Sequence, residues 1–155
     1  MWYELLKKMA KEIEQSAVVR HVKIGPYMPE AIGVTEEGAA ILMRGEEDNE
    51  DPRTQEMVQA MLYLELWVRE DSQELDKGYE RLAALEHEVE KVITLYRDKI
   101  GQLQQDKCML DERWQVLDIY VDKKTGGWDS KRPLLGTQYT VIAKLYDTSE
   151  EEGIW

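Results

Sequence analysis

The segment from Val58 to Val68 constrains the fold of this chain more than any other part of the sequence. Its residues alternate, and the even positions are all apolar: Val58, Ala60, Leu62, Leu64, Leu66 and Val68. A period of two predicts a β-strand with one buried face and one mixed face. Such a strand is about twice the usual length of 5–6 residues. Tyr63 and Trp67 lie on the mixed face, and we expect them to form an inter-subunit contact, because aromatic residues are enriched in interfaces.

Apolar spacing predicts two helices. Spacings of three and four between Trp2 and Ile13 predict an N-terminal amphipathic helix. A long central helix is predicted over residues 72–100, where an apolar residue recurs every seventh position; the stripe is Leu75, Leu82, Val89 and Tyr96. Because this stripe is short for an independent coiled coil, we expect the helix to pack against a sheet.

Alternating and β-branched segments predict strands over residues 17–24, 39–44, 55–69, 114–121 and 136–146. The coarse order of elements is α-β-β-β-β-α-β-β, with four strands before the central helix. The strands 39–44 and 55–69 would pair as one hairpin, and the last two as another. Pro26 and Pro29 end the first strand, since proline cannot donate to a ladder. Leu117, Ile119 and Val121 are expected to share one face. The predicted fold class is α+β, with a mostly antiparallel sheet built from hairpins and packed against the N-terminal helix and one long central helix.

The 155 residues contain no linker that would divide them, so we expect a single domain over residues 1–147. Residues 148–155 form an acidic C-terminal tail. Residues 45–53 are expected to be the solvated tip of the first hairpin, because Gly, Pro and acidic residues do not pack in a core. The acidic residues of this tip are Glu46, Glu47, Asp48, Glu50 and Asp51. They lack the ligand spacing of an EF-hand, so we expect no metal there.

The net charge and the cysteine content argue against some classes of function. The net charge of −12 argues against nucleic acid as a bound partner, because binding requires Lys and Arg to neutralise phosphates. An acidic surface would instead let DNA pass without adhering to it. The single cysteine, Cys108, excludes an intrachain disulfide and fits a reducing compartment. No apolar run reaches the roughly 18 residues of a membrane span, so no membrane partner is expected.

Motifs for catalysis are missing from the sequence. His87 lies among glutamates, but Lys91 occupies the place of the second histidine of a His-Glu-x-x-His zinc motif. The other histidine, His21, lies in a different predicted element. The sequence contains neither a Gly-rich phosphate loop nor a G-x-S-x-G nucleophile elbow. We therefore expect no enzyme and no cofactor.

The order of the predicted elements resembles the tail-terminator or tail-completion (minor tail) proteins of tailed phages. The resemblance covers nearly the whole chain, in layout rather than in an invariant motif, and the connector 101–133 is longer than the family pattern. The matching elements are the helix Trp2–Ile13, the strand leading into Gly25–Pro29, the long strand Val58–Arg69, the helix Leu75–Ile100 and the closing strand Tyr139–Leu145.

The resemblance implies a structural virion protein without catalytic residues. Such a protein forms a hexameric ring at the head-proximal end of the tail, stops tube polymerisation and joins the tail to the head. The implied partners are further copies of the chain, the tail-tube protein and a head-completion or neck protein, with assembly in the host cytoplasm. DNA would pass through the lumen without being bound. The tip Glu46–Asp51 would face the lumen or the tube, and Tyr63 and Trp67 would lie between subunits.

Two other functions stay open at this stage. One is a phage neck protein, or head–tail connector, which also forms a ring with a negative lumen. The other is a small intracellular adaptor that binds a protein through the helix 72–100 or through an exposed sheet edge. Oligomeric state separates the adaptor from the terminator, since an adaptor would be a monomer or a dimer.

Overall fold

The computed structural model describes residues 1–16, 19, 21–49, 57–102, 108–128 and 131–149. Within these residues the chain forms two α-helices, α1 (Trp2–Glu14) and α2 (Leu75–Gln102). A short 3₁₀ turn, Pro29–Ala31, follows the first strand. The strands are β1 (Val22–Ile24), β2 (Ala39–Asn49), β3 (Met57–Arg69), β4 (Trp114–Trp128) and β5 (Leu134–Asp147). No helix of the described part is long and apolar enough to span a membrane.

The five strands form one sheet in the order β1-β2-β3-β5-β4. Only β1 and β2 are parallel, and the other neighbours are antiparallel. Both predicted hairpins are present, β2 with β3 and β4 with β5. The centre of the sheet is the β3–β5 pair, which is continuous from Met57–Tyr146 to Arg69–Leu134. The predicted α+β class is thus confirmed.

Both helices pack on the same face of the sheet. The even residues of β3 point to this face and are all buried, from Val58 at 7% exposed to Leu64 and Leu66 at 0%. The stripe of α2 joins them in one core cluster, together with the buried residues of α1. Each large apolar side chain removed from water contributes about 1.5–3 kcal/mol. The predicted packing of the long helix against the sheet is therefore confirmed.

The first hairpin is more regular than the sequence predicts. β2 continues to Asn49, so residues 45–49, expected in the hairpin tip, belong to the strand. Main-chain pairing of Asp48 with Gln59 and of Asn49 with Val58 extends the ladder. Exposed acidic side chains do not prevent this, because the ladder needs only backbone groups. Residues 50–53 of the tip and residues 150–155 of the tail lie outside the described part of the chain.

The edge strands differ most from expectation. β1 contains Val22–Ile24 and is shorter than the predicted strand 17–24, of which residues 17, 18 and 20 lie outside the described part. β4 extends to Trp128, beyond the predicted end at residue 121, so part of the predicted connector 101–133 is a strand. The predicted shared face of its first half is wrong. A register shift between Val116 and Asp118 buries Val116 and Ile119, whereas Leu117 is 38% exposed.

Candidate assembly surface

The sheet face opposite the two helices carries a row of half-buried side chains. Tyr63 is paired with Met43 of β2 and with Thr140 of β5, and Met61 is paired with Ile142. Directly paired residues lie on the same face of a sheet. We call these five residues the open face: Met43, Met61, Tyr63, Thr140 and Ile142. Four of them are half-buried and Ile142 is buried, so the face is apolar and only partly covered by the described chain.

One end of the same sheet face is closed by the segment between β1 and β2. Its Val34 joins Ala39, Ile41, Leu134 and Trp67 in a second apolar cluster. Trp67 is 0% exposed, and its indole Nε1 donates a hydrogen bond to Glu65 Oε1 at 3.0 Å. Trp67 is thus enclosed by side chains of its own subunit, and its expected inter-subunit role stays a prediction.

Tyr63 is less buried than Trp67, although both side chains point to the same side of β3. Its side chain is half-buried and lies in the middle of the open face, beyond the segment that covers Trp67. The inter-subunit role of Tyr63 stays a prediction. Met43 and Ile142 were not expected in this surface. They belong to it because they are paired with Tyr63 and Met61. This pairing depends on the strand register, which the sequence of a single strand does not reveal.

The far end of the β2–β3 hairpin is acidic and has a free edge. β1 pairs only with residues 40–42 of β2, so no described strand flanks β2 from Met43 onward. Glu46, Glu47 and Asp48 are exposed there, and Arg44 Nη2 lies 3.4 Å from Glu47 Oε1. The other acidic residues expected in this region, Glu50 and Asp51, lie outside the described part. Charged residues on a free edge oppose unspecific pairing with other sheets.

Other charged residues are paired between α2 and the sheet. Glu70, at the end of β3, accepts hydrogen bonds from the Ser72 hydroxyl and from Arg81 of α2. These bonds, that from Ser72 above all, lower the pKa of Glu70. Lys124 of β4 lies 2.8 Å from Glu86 Oε1 on α2. Such pairs fix α2 on the sheet.

The other residues with possible chemistry are scattered. Cys108 is half-buried, and its Sγ lies 3.7 Å from the Ile100 carbonyl oxygen. His21 is half-buried beside β1, while His87 is exposed on α2. Burial raises the pKa of Tyr96 to about 12, so its hydroxyl is neutral at physiological pH. Within the described ranges, no group of three or more His, Cys, Asp or Glu residues could hold a metal ion.

No protein-family model matches the chain. No curated protein sequence matches it either. Among solved structures, the chain is similar to one from the virion of a native gene transfer agent (GTA) particle, at 11% identity and a TM-score of 0.45. The alignment covers 91% of each chain. At this TM-score the similarity carries no assignment of function.

Proposed function

We propose that the chain is a structural protein of a phage-like virion, a tail terminator whose copies form a hexameric ring. The observation that carries this proposal is the two-sided sheet. α1 and α2 cover one face, and the open face leaves Met43, Met61 and Tyr63 half-buried on the other. Apolar surface of this kind is stabilised when a partner covers it.

The order of elements supports the same proposal. The described chain contains, in order, the elements on which the resemblance to the terminator family is based: an N-terminal helix, a strand that ends before Gly25–Pro29, a hairpin with a long second strand, a long helix and a closing strand. Fold alone does not decide function, so the proposal needs the open face and the acidic hairpin end as well.

The proposed mechanism is steric and electrostatic. Identical subunits that contact each other through two different surfaces close into a ring when the rotation between them allows it. The ring binds the last layer of the tail tube and denies the next tube subunit its binding place. Its other side binds the head-completion or neck protein. The exposed carboxylates of Glu46, Glu47 and Asp48 face the lumen or the tube, where they repel DNA phosphates and let DNA pass.

The mass of the protein in solution tests this proposal. Light scattering would be recorded for the chain alone and mixed with the tail-tube protein of the same particle, at low and high concentration. We expect a species of about six copies, either alone or on the tube. A monomer or dimer under every condition would contradict the ring and favour the adaptor. A ring that binds the portal-side protein but not the tube would favour the neck protein.

A substitution in the open face makes the test specific. Tyr63→Glu places a charge in the centre of this face and should leave a folded monomer that no longer assembles. Tyr3→Glu is the matched control, because Tyr3 is 50% exposed on α1, on the opposite side of the sheet. Assembly by the Tyr63 variant at the wild-type level would exclude the open face from the ring contacts.

A further inference from the structure

A small cavity lies between the Gly25–Pro29 turn and the part of β3 that contains Glu65 and Trp67. Its volume is about 230 Å³. Small-molecule sites usually measure about 300–1,000 Å³, so this cavity is better matched to one side chain than to a cofactor. Its walls are mainly apolar and aromatic, with one acidic and one basic residue; those used below are Tyr27, Met28, Met43, Glu65, Trp67 and Lys131.

The acidic residue, Glu65, is 91% buried, since only 9% of its surface is exposed. Its Oε1 accepts the Trp67 Nε1–H hydrogen bond. No residue in the described part of the chain donates a hydrogen bond to its second oxygen. The neighbours of Glu65 across the ladder are Ile41 and Gln138, neither of which carries a charge. A carboxylate in such surroundings attracts a cation strongly, because little water screens the interaction.

The described residues do not supply that cation. Lys131 is the basic residue of the cavity wall, and its Nζ lies 3.2 Å from Glu30 Oε1. Glu30 is exposed on the 3₁₀ turn, so this ion pair lies at the rim. With Lys131 paired to Glu30, the charge of Glu65 has no partner among the described basic residues.

The walls favour a planar cation. Trp67 and Tyr27 line the cavity, and guanidinium groups stack on aromatic rings more readily than ammonium groups do. The mouth is apolar, because Tyr27 is 47% exposed and Met28 is 57% exposed. A partner segment that inserts a side chain here would cover both residues.

We propose that this cavity receives an arginine side chain from a partner protein. The guanidinium pairs with Glu65 and stacks on Tyr27, which is 47% exposed, while its aliphatic stem lies along Met28 and Met43. The recognition is local to one subunit. It therefore goes beyond the proposed ring and does not depend on the oligomeric state.

Titration of the protein with short peptides, followed by NMR, tests the proposal. The probes are acetyl-Ala-Arg-Ala-amide and the same peptide with citrulline, which has the shape of arginine without its charge. The readout is the indole N–H signal of Trp67, which lies at the Glu65 carboxylate. We expect a saturable shift with the arginine peptide and about tenfold weaker binding of the citrulline peptide.

Matched variants locate the binding. Glu65→Gln keeps an acceptor for Trp67 and should abolish the preference for arginine over citrulline. Glu36→Gln, at an exposed position outside the cavity, should retain it. Lys131→Met removes a positive charge of the cavity wall, which repels an incoming guanidinium, and should strengthen binding of the arginine peptide several-fold. If Glu65→Gln does not fold, the Lys131→Met variant still tests whether the charge in the cavity controls arginine binding.

Three results would overturn the proposal. Equal shifts with both peptides would show that the charge is not recognised. The absence of any shift at the Trp67 signal at millimolar peptide would show that the cavity binds no arginine. Equal binding of a lysine peptide would reduce the interaction to simple charge attraction and contradict arginine recognition.

Discussion

The indole ring of Trp67 lies directly against Gly136, its partner across the β3–β5 pair. A Cβ atom at position 136 would lie 2.5 Å from the ring atoms Cε3 and Cζ3. This is well inside the 3.5–4.0 Å at which carbon atoms attract each other. The ring thus occupies the space of the side chain that Gly136 lacks, and the two residues form a single packing unit.

Gly136→Ala should destabilise the fold by about 1–3 kcal/mol, the usual cost of overpacking a well-filled core. The cost is steric, since a rigid aromatic ring rather than a flexible side chain must move. The free energy of unfolding in urea measures it. Gly126→Ala on β4 is the control, because no atom lies within 4 Å of its added Cβ. Equal stability of the two variants would contradict the proposed contact.

Trp67→Ala should cost about 3–5 kcal/mol, as expected for an aromatic side chain removed from a core. A residue of an inter-subunit contact would instead leave the stability of the monomer nearly unchanged. The double variant with Gly136→Ala sharpens the test. Once the ring is gone, the added methyl group no longer clashes, so the two effects should be strongly non-additive. Additive costs would show that the residues do not share a packing site.

One face of β3 was predictable from the sequence because its signal is local. Alternation from Val58 to Val68 fixes which residues point to the core, whatever covers them. The cover of the other face is not local. Trp67 and Tyr63 look alike in the strand pattern, and the segment containing Val34, far away in sequence, encloses the first and leaves the second half-buried. No periodicity within β3 separates these two cases.

The register of the edge strand β4 is a second feature that could not be predicted from the sequence. The alternation of Leu117, Ile119 and Val121 in sequence predicts a shared face, but a bulge between Val116 and Asp118 changes the direction of Leu117. A bulge depends on how the edge strand is paired with β5, and one extra residue reverses the faces. Glu65 was overlooked for a related reason. Its role in the cavity follows from neighbours that the turn Gly25–Pro29 brings over it.

The acidic end of the β2–β3 hairpin should contribute little to stability. In a variant with Glu46→Gln, Glu47→Gln and Asp48→Asn, we expect a change of no more than about 0.5 kcal/mol, because exposed charges interact weakly. The ion pair between Arg44 and Glu47 is itself exposed. Thermal and urea unfolding measure the change. A large loss of stability would show that these side chains pack within the subunit, which would leave the proposed lumen or tube contact without support.

Asp147 and Arg113 make the pH-sensitive contact of the sheet end. Arg113 Nε donates to Asp147 Oδ1 at 2.8 Å, and Ser149 adds hydrogen bonds to the same oxygen. The Asp147 side chain is 3% exposed, whereas that of Arg113 is 57% exposed. Hydrogen bonding to Arg113, ahead of that to Ser149, lowers the pKa of Asp147 from 3.8 to about 2. The carboxylate form is therefore favoured in the folded state.

This shift fixes the pH range in which the contact stabilises the protein. A carboxylate with a lowered pKa contributes its full stability above its unfolded pKa and loses it as the pH falls through the folded pKa. Asp147→Asn should therefore cost about 1–2 kcal/mol at pH 7, a value reduced because Arg113 is exposed to solvent. The difference from wild type should shrink between about pH 4 and pH 2 and vanish below it.

This difference is measured by urea unfolding of the wild type and the Asp147 variant at the same series of pH values. Comparing the two proteins removes the loss of stability that acid causes in both. Asp118→Asn is the matched control, since Asp118 also pairs with an arginine, Arg97, but its side chain is 31% exposed. We expect a smaller cost for this variant, because solvent screens the pair. A difference for Asp147→Asn that persisted unchanged at pH 2 would show that packing of the side chain, and not its charge, provides the stability.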